Sequence, residues 1–110
     1  MKYFIKESER KGTCYHEFQK GKWDESTFWH KDSLLIHDDI FFNLKLGDLF
    51  KEIVPDYNPS GETEINQEQW KSIYSKAEFI GGEIKLAIEE LDVWVKDNFQ
   101  TENIFTILGL

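Results

Sequence analysis

The chain is poor in cysteine and in long apolar runs, and each shortage excludes something. Cys14 is the only cysteine, so there is no intrachain disulfide and no multi-cysteine zinc site. Between Thr13 and Tyr15 it reads as a strand residue, with no base or orienting partner to make it a nucleophile. The longest apolar stretches are three residues, as in Leu34-Leu35-Ile36 and Val93-Trp94-Val95, against the roughly 18 of a membrane span. The opening segment Met1-Lys2-Tyr3-Phe4-Ile5-Lys6-Glu7 is too short and too charged for a secretory signal. The expectation is a cytoplasmic protein with no membrane contact. There is no GxGxxG, GxxxxGK[ST] or GxSxG pattern, and Gly81-Gly82 and Gly109 do not make a phosphate loop.

Positive charge is also scarce. Lys and Arg number 13 against 21 Asp and Glu, a net charge of −8. Residues 1–37 carry seven basic and six acidic side chains, whereas residues 38–110 carry six and fifteen. A field of that sign repels phosphate backbones and anionic lipid and attracts basic partners. Nucleic acid is thereby an unfavourable ligand. The aromatic run Trp23, Phe28, Trp29 lacks the basic interleaving of a base-stacking platform; core or interface is the better use for it.

What is present suits a folded domain. Apolar residues make up 40% of the chain and aromatics 15%, enough for one core in a single domain spanning residues 1–110. Tyr3-Phe4-Ile5-Lys6 favours a strand, with a turn over 9–12 and Cys14–Phe18 returning as the second arm of a hairpin. A strand or irregular segment is expected near 34–42. Leu46, Leu49, Phe50 and Ile53 share one helical face, which predicts a helix over 45–54 ended by Pro55. Asp56 to Gly61 reads as a loop. Asn66 and Gln69 have the spacing of a capping box, with Ile65 and Trp70 placed as a hydrophobic staple, for a helix over 66–79. Ile84, Ile88, Leu91 and Val95 mark a third helix over 83–98, with Asp92 and Lys96 ordered for an i,i+4 ion pair. Ile104–Leu108 reads as a terminal strand. The fold class expected is α+β: a small antiparallel sheet including N- and C-terminal strands, packed against three helices. Trp70, Ile73, Ile84, Ile88, Leu91 and Val95 are expected in the core.

No catalytic constellation emerges. His16, His30 and His37 read as surface or turn residues, and a metal site of His30, His37 and Asp38 has no standard ligand spacing. The carboxylate pairs Asp38/Asp39, Glu62/Glu64 and Glu89/Glu90 read as solvated acids, since acid–base work needs carboxyls in separated environments. No catalytic residue, metal or cofactor is implied.

The run Pro55-Asp56-Tyr57, then Gly61, Thr63, Ile65 and Trp70-Lys71-Ser72-Ile73, with the ending Phe105-Thr106-Ile107-Leu108-Gly109, resembles small immunity proteins of bacterial polymorphic-toxin systems. These include contact-dependent growth inhibition systems. The match covers roughly residues 46–110. The resemblance implies a non-catalytic protein that occludes a cognate toxin, a nuclease or other enzyme with a basic cleft. Another acidic interaction or regulatory module is the alternative, and a small metal-dependent enzyme near His30, His37 and Asp38 is the third reading. For the partner-binding surface the sequence points to Asp56, Glu62, Glu64 and Glu68 around the 55–68 loop and cap, with Tyr57 as an aromatic anchor. Asp38 and Asp39 come next, then Glu89, Glu90 and Asp92 on the polar face of the third helix.

Overall fold

The computed structural model describes all of residues 1–110. Four strands form one antiparallel sheet in the order β2-β1-β4-β3. They are β1 (Tyr15–Lys20), β2 (Leu34–His37), β3 (Glu62–Asn66) and β4 (Ile104–Leu108). Four helices accompany them: α1 (Asp38–Asn43), α2 (Leu46–Ile53), α3 (Gln67–Ile80) and α4 (Gly82–Asn98). The class is α+β, as the sequence indicates, and strands from near both ends of the chain lie side by side as β1 and β4.

β1 begins after Cys14, which is exposed and lies outside the strand. Its side chains alternate between two covered faces. Phe18 meets Phe4, Phe50, Trp94 and Phe105 in the main core. On the opposite face the Glu17 carboxylate accepts the Trp29 and His30 N–H groups and the Ser33 hydroxyl at 2.7–2.9 Å. Gln19 donates to the Thr27 carbonyl. The stretch 23–33, which sequence patterning leaves unassigned, is thus bonded down across the outer face of the sheet through Thr27, Trp29, His30 and Ser33.

The helices follow their apolar spacing. Asn66 caps α3 by accepting the Gln69 N–H, and Gln69 reaches back to accept the Asn66 N–H. Trp70, Ile73, Ile88, Leu91 and Val95 are buried as expected, whereas Ile84 is only half-buried at the core margin. Gly81, at φ 74° and ψ −159°, lets the chain reverse between α3 and α4 in a conformation that side-chain-bearing residues rarely adopt. No helix is long and apolar enough to cross a membrane.

Three expectations require correction. Tyr3–Lys6 does not form a strand or a hairpin with β1. Ile5 makes a single bridge to Leu35, because the preceding amides of Lys2, Tyr3 and Phe4 all donate to the Glu90 carboxylate. The segment near 34–42 splits at His37, whose ring accepts the Asp39 N–H and starts a fourth helix, α1. Residues 62–66 are a strand rather than loop: Thr63 and Ile65 turn inward and Glu62, Glu64 and Asn66 outward, because β4 supplies the pairing.

Candidate protein-binding groove

β3 lies at one edge of the sheet, so its outward carboxylates face solvent. Glu62 and Glu64 line a shallow cavity of about 410 Å³ together with Asp56 and Glu25. Lys22 is the single cation among its lining residues. Lys22 Nζ stands 3.1 Å from Glu64 Oε2, and Glu64 first, then Glu62 and Glu25, hold its ammonium above the ordinary lysine range. One cation against four carboxylates leaves the groove strongly acidic.

The loop that supplies Lys22 and Glu25 is braced locally. The Asp24 carboxylate accepts the Thr27 hydroxyl, the Thr27 N–H and the Ser26 N–H, which lower its pKa to about 2, the Thr27 side chain contributing most. This is an Asx-type turn, and Asp24-Glu25-Ser26-Thr27 carries its sequence signal. Trp23 and Phe28 pack at 5.3 Å between ring centroids beside it, and Phe28 is 52% exposed. The Arg10 guanidinium covers the Trp29 ring at 4.4 Å. All three aromatics lie outside the main core.

Among the residues singled out from sequence, the fold gathers Asp56, Glu62 and Glu64 at this groove and scatters the rest. Glu68 is exposed on the first turn of α3 and pairs with Lys71. Asp39 is exposed on α1, and Asp38 Oδ1 sits 2.7 Å from His16 Nε2. His16 itself is buried and stacks on Phe41 at 3.9 Å, not a surface residue. Glu89 is half-buried beside Glu78.

Three assignments fail. Tyr57 is 3% exposed and packs on Phe50 at 5.7 Å, so it anchors the core rather than a partner. Glu90 is taken up by the N-terminal amides. Asp92 is buried, with Oδ1 accepting the Trp70 indole N–H at 2.8 Å and Oδ2 paired with Lys96 at 2.9 Å. Sequence reasoning also missed Glu25 and Lys22, which reach the groove from a segment some forty residues upstream of β3.

A larger cleft, about 620 Å³, lies between α3 and α4 and is lined by Trp70, Tyr74, Asp92, Lys96 and Phe99. Its only carboxylate already has a partner on each oxygen, the Trp70 indole N–H on one and Lys96 on the other. No three His, Cys, Asp or Glu side chains converge as metal ligands would.

Comparison with protein-family models, with curated proteins and with solved structures finds no match. The groove therefore has to be interpreted from its own chemistry. Four carboxylates at a sheet edge, beside a braced loop carrying exposed Phe28, suit a cationic protein surface: charge speeds encounter and an apolar group slows departure.

Proposed function

We propose that this chain is a non-catalytic, cytoplasmic immunity protein that binds a cognate toxin through a basic surface and so blocks the toxin's active cleft. The observation that carries the proposal is the groove itself, where Glu25, Asp56, Glu62 and Glu64 face one cation, Lys22. The resemblance over residues 46–110 supports it from a second direction. Its aromatic positions Tyr57, Trp70 and Phe105 are core residues and speak for the fold. Asp56, the one acid among the residues that carry the resemblance, is exposed and lines the groove.

The chemistry is occlusion and electrostatic capture. Opposed charge can raise association rates by about ten- to a thousandfold at low salt, which suits an inhibitor that must intercept an enzyme before it acts. The test is co-expression with the product of an adjacent toxin gene, followed by purification and growth assay. A co-purifying complex that rescues growth is the expected result. Charge reversal by Glu62→Lys with Glu64→Lys should slow association and flatten its salt dependence, with thermal stability nearly unchanged because both side chains are exposed. Absence of a complex with any neighbouring gene product removes the proposal. A complex with a partner that is no toxin moves the chain to the class of acidic regulatory modules.

A further inference from the structure

The two edges of the sheet are not alike. At the β2 edge, Ile5 and Leu35 exchange both backbone hydrogen bonds, at 2.8 and 2.9 Å, so that edge is capped from within the chain. At the β3 edge the register decides which groups are free. Gly109 N donates to Gly61 O at 2.8 Å, and this pair continues the register in which Glu62 faces Leu108. Hydrogen-bonded pairs alternate along antiparallel strands. Thr63 and Ile65 therefore bond to Ile107 and Phe105, and the N–H and C=O groups of Glu62 and Glu64 turn away from the sheet.

The neighbouring chain does not reclaim them. The Ser60 N–H goes to the Asn58 side-chain oxygen at one end, and Gln69 satisfies the Asn66 N–H at the other. No loop or turn backbone bond reaches Glu62 or Glu64. A window of two donors and two acceptors stays open between two closed ends, and the same two residues carry exposed carboxylates.

We propose that this open edge of β3 accepts an extended, basic segment of the partner as an antiparallel fifth strand, with Lys or Arg opposite Glu62 and Glu64. The proposal rests on the reading above that the partner is basic, and adds the binding mode. Strand addition uses backbone bonds for affinity and alternate side chains for selection. Residues two apart on a strand point to one face about 7 Å from each other, so a partner strand needs cations at alternate positions. Directly opposed pairs share a face, which places each cation on the residue whose own N–H also faces β3. A second copy of this chain is a poor occupant, because it would set Glu62 and Glu64 against their own like charges.

The coupling between charge and backbone parity makes a sharp test that needs no toxin. The probe is a synthetic ten-residue peptide alternating Lys with Thr or Val, blocked at both ends, titrated into the full-length protein and followed by NMR. Expected are shifts and at least tenfold slower hydrogen exchange at the Glu62 and Glu64 amides. N-methylation of the lysine amides should weaken binding at least tenfold, while N-methylation of the Thr and Val amides should leave it unchanged. Equal binding of the two methylated peptides, or no binding of the parent, overturns the strand mode. Strand-type peptide binding without any toxin complex would remove the immunity function and keep the edge; an intact toxin complex with parity-blind peptides would do the reverse.

Discussion

Across the α3–α4 interface, the buried carboxylate of Asp92 holds the indole N–H of Trp70 at 2.8 Å. Lys96, one helical turn further on, takes the second oxygen. Removing the carboxylate by Asp92→Ala leaves the indole donor without its partner, and hydrogen bonds to charged groups contribute about 1.5 to 3 kcal/mol. A loss of about 2 kcal/mol in urea unfolding is expected. Asp92→Asn, which keeps an acceptor for Trp70, should recover part of it, and equal losses in the two variants would contradict this role.

Tyr57 packs against Phe50 with its hydroxyl buried and unpartnered. Truncation by Tyr57→Ala should cost about 3 to 5 kcal/mol, as for other large aromatic core residues. Tyr57→Phe should be neutral or stabilising, since an unsatisfied buried hydroxyl carries a desolvation penalty without a bond to offset it. Marked destabilisation in the Phe variant would show that the hydroxyl has a partner after all.

Glu90 ties the first residues of the chain to α4 through three backbone amides, those of Lys2, Tyr3 and Phe4. Glu90→Ala should speed hydrogen exchange at the Tyr3 and Phe4 amides before it affects the middle of α4. Because Phe4 is itself a core side chain, a stability loss of about 1.5 to 3 kcal/mol should accompany the release. Unaltered exchange at both amides would mean that core packing alone holds the segment.

His16 gives the fold a pH dependence of definite sign. Burial holds its imidazole below the ordinary 6.5, and the Asp38 carboxylate, which acts in the opposite direction, does not cancel the effect. The unfolded chain therefore takes up this proton at a higher pH than the folded one. The contribution of neutral His16 is complete above 6.5 and is lost as pH falls from there towards the folded-state midpoint. NMR titration should place that midpoint below 6.5, and His16→Gln should show a smaller stability difference between about pH 8 and about pH 5 than the parent. A midpoint above 6.5 would make Asp38 the dominant influence.

β3 shows how close the sequence came to the groove. Glu62-Thr63-Glu64-Ile65 alternates as an edge strand should, yet Pro59, Ser60 and Gly61 before it and the Asn66 cap after it draw the same residues into a loop assignment. Asp56, Glu62 and Glu64 were legible as surface acids because polar residues between punctuators stay in water whatever the fold. Their convergence with Glu25 and Lys22 was not legible, since nothing local links residues so far apart.

The sequence by itself determined the α+β class, the spans of α2, α3 and α4, the cap of α3 by Asn66 and Gln69, and the terminal strand. Those outcomes rest on periodicity, capping and propensity, which act between residues a few positions apart. Which acids remain free was decided only by the tertiary structure. Glu62 and Glu64 keep their carboxylates at the surface; Glu90 spends its own on amides more than eighty residues away, and Asp92 on an indole in another helix. A carboxylate accepts from whichever donors the folded chain brings within about 3 Å, and that distance exists only once the helices have packed on the sheet.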